Sequence, residues 1–291
     1  MNELEQDIIK EGTTQIMKGI SENISKFFPY LGVKKEAVST LIKEINESEE
    51  YSPIDKALLI ANSKKLVSQK KNTDDIIALA YKNSSEGTDF STNSKVDEEW
   101  LDRFMDSAKF VNDEDMKLIW SKVLSGEFES PGTFSKSLIR VLSELPKFYA
   151  EVFSNLCRTQ ISVYNFDTNN RAVSHIQSVF LPRNIINGQE YNDMGLHFNM
   201  ITELQNMGLI YYYGTNESAI TWDSSIYPTV KVKYGEEEIT VTKFQDKTFL
   251  MGAVTLTSLG ESLANITKVV TIPGYINHIK EYFKNNGMEF Y

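Results

Sequence analysis

Residues 96–127 read VDEEWLDRFMDSAKFVNDEDMKLIWSKVLSGE, and this stretch decides the fold class. Trp100, Phe104 and Ala108 recur every four residues, so they line one side of an α-helix within Val96 to Phe110. Asn112 has the side chain of an N-cap, and Asp113, Glu114 and Asp115 then set carboxylates at the positive end of a second helix dipole. Met116, Ile119, Trp120, Val123 and Leu124 form its apolar stripe, which assigns Trp120 to the core, and Gly126 supplies a C-terminal stop. Ser130, Pro131 and Gly132 make a turn, a helix follows from Thr133 through Leu145, and Pro146 opens another at its first turn. Short helices with tight connections predict a compact helical unit over residues 96–158.

Toward the N-terminus the chain stays helical. Ser52, Pro53 and Asp55 combine a hydroxyl cap, a proline at the first helical position and a first-turn carboxylate. The helix they start holds Ala57, Leu58, Ile60 and Ala61 and runs into Lys64, Lys65, Lys70 and Lys71, read as a solvated face with nucleic-acid contact as the alternative. Val33 to Asn46 and Asn72 to Tyr81 are further helices, and the polar stretch Asn83 to Lys95 is the boundary of a helical N-terminal region, residues 1–82. In Glu3 to Phe28, residues Ile9, Ile16, Ile20, Ile24 and Phe27 fall on one side of an amphipathic helix. Its mixed charges favour packing on another helix, hence a homo-oligomer or another protein partner; a membrane surface is the alternative.

Beyond residue 158 the period changes from helix to strand. Ile161, Val163 and Phe166 alternate, Val173, Ile176 and Phe180 do so more loosely, and Val230 to Tyr234 and Ile239 to Phe244 alternate around a turn at Gly235 to Glu238. A helix at Asn199 to Gly208 leads into a strand at Leu209 to Tyr213, and Leu256 leads into another helix. The order helix, strand, hairpin, strand, helix is similar to a winged helix. Glu236, Glu237 and Glu238 at the hairpin tip would repel DNA, so this module is expected to bind protein or to be purely structural. The fold class is therefore α+β and mainly helical: an N-terminal and central helical bundle, then a smaller α/β C-terminal module over residues 159–291 with a winged-helix-like arrangement.

Composition narrows the chemistry. A formal net charge of -10 disfavours broad binding to phosphate backbones. Cys157 is the chain's one cysteine, so no disulfide framework forms within the chain, a reducing compartment is expected, and the residue reads as a small buried apolar group. No secretory leader pattern opens the sequence and no apolar run approaches the roughly 20 residues of a bilayer span, which leads to the expectation of a soluble, cytoplasmic protein. His175, His197 and His278 are far apart and in no metal-ligand spacing, and there is no phosphate-cradling glycine loop, nucleophile elbow or kinase signature. No metal, cofactor or catalytic residue is expected, and the chain is read as a non-enzyme.

The motifs also carry a resemblance. Asn72, Ile76 and Ile77 precede EEWLDRF (98–104), NDEDM (112–116), LIWSKVLSGE (118–127), PGTFS (131–135) and LIRVLSEL (138–145). Further on come LQNMGLI (204–210) and LTSLG (256–260). This pattern over Asn72 to Ile266 resembles the uncharacterised bacterial family called domain of unknown function 2806. Glu99 stands where the family has Asp, and Ser125 where it has Ala. Its marker positions here are Trp100, Phe104, Trp120, Gly126, Glu127, Pro131 and Gly132, each explained by capping, turns or core. The resemblance brings no catalytic residues. It implies an association with prophages and abortive infection, and so a defence protein that senses a phage component. A winged-helix-like transcriptional regulator and a membrane-acting toxin working through the first helix are the alternatives.

Overall fold

The computed structural model describes residues 35–90, 94–169, 171–182, 189–214, 216, 218–221, 227, 229–243, 248–267 and 270–291. The amphipathic segment with Ile9, Ile16, Ile20, Ile24 and Phe27 lies outside the described residues. Two compact units divide between Glu144 and Leu145. The polar stretch after Asn83 is not that division: Ser85 N donates to Glu129 Oε1 at 2.6 Å, and buried Phe90 stacks on Phe128 at 4.8 Å.

The first unit holds α1 (Lys35–Glu47), α2 (Pro53–Asn83), α3 (Glu98–Ala108), α4 (Glu114–Glu129) and α5 (Lys136–Glu144). Ser52 Oγ accepts from Asp55 N at 3.2 Å, so α2 starts where hydroxyl and proline direct it. It continues through the residues read as two helices, because Lys70–Asp74 and Lys71–Asp75 pair one turn apart with no glycine or proline between. From Asn72 onward α2 is buried through Thr73, Ile76, Ile77 and Ala80 and packs along α4. Trp100 stacks on Phe104 at 5.1 Å, and Phe104 meets Trp120 edge-on at 5.0 Å, which welds α3 to α4.

Two details of α4 differ from the sequence reading. Its cap is Asp113, which accepts from Asp115 N at 3.0 Å and Met116 N at 3.1 Å. Asn112 is taken up instead by buried Asn72, whose Nδ2 donates to Asn112 Oδ1 at 2.9 Å and to Lys109 O at 3.0 Å. The helix also passes through Gly126 and ends at Glu129. Gly126 stops nothing; a Cβ there would lie 2.8 Å from Phe134 Cε2, so its missing side chain lets that ring lie on the helix.

The second unit holds α6 (Lys147–Cys157), β1 (Gln160–Phe166), β2 (Ala172–Val179), α7 (Gln189–Asp193), α8 (Phe198–Asn206), β3 (Ile210–Tyr212), β4 (Ser218–Thr221), β5 (Thr229–Tyr234), β6 (Glu237–Lys243), β7 (Thr248–Gly252), β8 (Val254–Leu256), α9 (Ser258–Ile266), α10 (Tyr275–Asn285) and β9 (Glu289–Phe290). The sheet order β2-β1-β5-β6-β9 is antiparallel throughout. Val163 opposes Val232, and Val232 opposes Ile239, so one face is a continuous apolar row. Phe180 rings meet Tyr282 and Phe283 of α10 edge-on, and Tyr234 packs against Tyr275, all buried. Period-2 burial on β1 and β5 meets the period-3.6 stripe of α10.

The hairpin read as a wing is β5–β6, and it lies inside this sheet between β1 and β9. Between α8 and α9 the chain also forms two further antiparallel pairs, β3 with β8 and β4 with β7. With strands and helices segregated in this way, the chain is a mainly helical α+β protein.

Candidate functional site

The marker residues of the first unit assemble into core and turn. Trp100, Phe104 and Trp120 are buried. Glu127 is buried too, with Oε1 accepting from Gly132 N at 2.6 Å and Oε2 from Phe134 N at 2.9 Å, so one carboxylate fastens the turn carrying Pro131 and Gly132 onto α4. Burial pushes the Glu127 carboxyl above its usual range against the pull of those N–H groups. Gly132 has φ +88°, a conformation open to glycine at little cost. Pro131 is exposed beside it.

Among the described residues Lys117 is buried as well, 2% exposed, and it donates to Asp75 Oδ2 at 2.7 Å and Glu114 Oε1 at 2.9 Å. This ties α2 to α4. Cys157 is fully buried, and burial pushes its thiol up to about 12, so it has no thiolate character near neutrality. Among the described residues no three His, Cys, Asp or Glu side chains converge as a metal site would require, and no helix is long and apolar enough to cross a membrane.

One glutamate of the tip, Glu238, is paired within its own hairpin. Glu238 accepts from Lys231 at 2.7 Å and lies 3.5 Å from Lys233 Nζ. Those lysines hold its carboxyl below the usual range, the hydrogen bond from Lys231 first among the causes. The strand lysines opposite the tip are thereby matched by an acid.

A further group of exposed side chains in the second unit lies where α8, β3 and α9 join. LQNMGLI ends α8 with Gly208 at φ +77°, and Leu209 N returns to Leu204 O at 3.0 Å, a left-handed helix stop. LTSLG meets it there. Thr257 Oγ1 donates to Gly208 O at 2.7 Å and accepts from Gly260 N at 3.1 Å, capping α9 while holding the end of α8. A Cβ on Gly260 would lie 2.0 Å from Leu209 O. The two segments far apart in sequence are therefore halves of one joint.

Over this joint lies an open cleft of about 580 Å³ lined by Gln205, the three tyrosines 211–213, Thr257 and Leu259, among others. Gln205 Oε1 accepts from Tyr212 N at 2.6 Å, Tyr213 and Thr255 hydroxyls lie 3.0 Å apart, and Phe198 meets Tyr212 edge-on at 5.8 Å. Tyr211 is 58% exposed and Phe198 57%. The lining carries no ionisable group besides the phenols. Amphipathic rings and neutral hydrogen-bonding groups in an open cleft suit a protein or peptide surface.

The helix and the strand are legible in the sequence, whereas the tyrosines as a surface are not among its readings. The signal was present: three consecutive tyrosines in a strand cannot all face the core, since neighbouring side chains alternate.

In comparison with known proteins, residues 61–280 match the family described as Protein of unknown function (DUF2806). That span contains the central helices, the glutamate-fastened turn and both halves of the joint. No curated protein and no solved structure matches the chain.

Proposed function

We propose, for a chain that belongs to the DUF2806 family, that it is a non-enzymatic interaction protein of bacterial anti-phage defence, and that its second unit recognises a phage protein. The observation that carries this reading is the neutral aromatic cleft at the junction of α8, β3 and α9. Exposed tyrosines anchored by backbone bonds lose little freedom on binding, and aromatic residues are enriched where proteins meet. The biological setting comes from the resemblance to proteins of prophages and abortive infection, and Cys157 as the chain's one cysteine is in keeping with a reducing, cytoplasmic compartment.

The test is phage plating efficiency across a broad panel on a bacterial host with and without this gene. Some phages should plate poorly when it is present, and the Tyr211→Ala/Tyr213→Ala variant should restore plating at unchanged protein level. If no phage in the panel is affected by the wild-type gene, the defence reading is lost. A double variant that protects fully would remove the cleft from it.

A second reading draws on the ribbon β3–β8 and β4–β7 between two helices, an order similar to a winged helix. It would make the protein a transcriptional regulator. Salt-dependent binding to its own promoter fragment would favour this reading over the first.

A further inference from the structure

The first half of α2 is supported by α1 on one side. Lys56, which donates to Asn46 O beyond the middle of α1, shares that side with Ile60, Ser63 and Val67, and all four are at least partly shielded. On the opposite side Ile54, Leu58 and Leu66 are 73%, 59% and 65% exposed, with Leu59 beside them. At about 100° of turn per residue these side chains share one face with Asp55, Asn62 and Lys65. An apolar stripe of this kind on a helix marks an interaction surface.

The arrangement of its charges says what covers it. Glu47, Glu49, Glu50 and Asp55 lie at one end of the stripe, and Lys64 and Lys65 at the other. The ion pairs of α2 among the described residues use Lys70, Lys71 and Lys117, and leave Asp55, whose carboxylate accepts from Ser52 Oγ at 2.7 Å, and Lys65 without an ionic partner there. A parallel copy of the helix would set acid on acid and base on base. An antiparallel copy centred near Ile60 would set Asp55 against Lys65, Ile54 against Leu66, and Leu58 against Asn62, each pair twice. A self-complementary patch of this kind is what a twofold interface requires. Ala61, small and exposed, sits beside the axis and lets the helices approach.

We propose that this face of α2 is the interface of a twofold homodimer in which α2 lies antiparallel on α2 of a second copy of the chain. The inference concerns the first unit alone and does not rest on the cleft of the second.

The full-length chain should sediment at high micromolar concentration with twice the 33.2 kDa mass of one chain. Leu58→Glu with Leu66→Glu should return it to a single chain with an unchanged circular dichroism spectrum. Asp55→Lys should weaken dimerisation about tenfold, and adding Lys65→Asp should restore it. That rescue fixes the antiparallel register, which a non-specific apolar contact would not. Ala61→Cys should oxidise to a dimer linked through itself, since Cys157 is buried. A monomer at every concentration overturns the proposal, as does a dimer indifferent to the leucine and charge variants. The proposal also fails if the chain's own first segment covers the face. An intramolecular crosslink between Ala61→Cys and Ile20→Cys, formed in place of the intermolecular one, would show that.

Discussion

At Gly260 the missing side chain is a structural requirement set by one carbonyl. With Leu209 O 2.0 Å from where a Cβ would be, Gly260→Ala must push α9 away from the start of β3. The expected loss is about 1–3 kcal/mol, read as a lower melting temperature of the second unit by calorimetry. Lys117 makes a different kind of demand. Burial alone would lower its pKa, but hydrogen bonds and charge from Asp75 and Glu114 outweigh burial and leave it raised above 10.5. The stability a raised lysine contributes is fully present below its unfolded value and is lost as pH rises through the folded one. Melting temperature should therefore drop in alkali beyond about pH 10.5. Lys117→Met should be less stable at neutral pH by about 1–3 kcal/mol and should lack that alkaline step.

Elements were legible to the extent that their causes are local. Ser52 and Pro53 start α2, Trp100 and Phe104 phase α3, and alternation around Gly235 gives β5 and β6, because each signal lies within a few residues. The end of α4 was misread because Gly126 answers to Phe134, a ring across the turn, and not to its own helix. The hairpin was read as a wing because its partners β1 and β9 are distant in sequence, and alternation does not name a neighbour. The cleft was half legible for the same reason: Gln205 and the tyrosines are local, whereas Thr257 and Leu259 arrive from the far side of the β3–β8 ribbon. At this scale Tyr211→Ala should leave stability within about 0.5 kcal/mol, as expected of an exposed side chain. Chemical denaturation checks it, and a larger loss would make Tyr211 structural.

The whole chain divides at Glu144 and Leu145, inside what the helical pattern presented as one run. Helix α6 has the same periodic signature as α3 to α5, and nothing in that signature says which unit a helix joins. Its placement follows from contacts such as Asn155 Nδ2 to Met194 O at 3.0 Å, which belong to the second unit. Residues 145–291 expressed alone should therefore give a cooperative unfolding transition, with near-ultraviolet circular dichroism reporting the packed tyrosines. A fragment without a transition would mean that the second unit depends on the first.

The doubly used hydroxyl of Thr257 has a kinetic consequence. Because the same oxygen holds Gly208 O and receives Gly260 N, the amide of Gly260 can exchange its hydrogen only when the clamp between α8 and α9 lets go. Its exchange rate is a clock on that opening, and whatever settles among the tyrosines above should slow it.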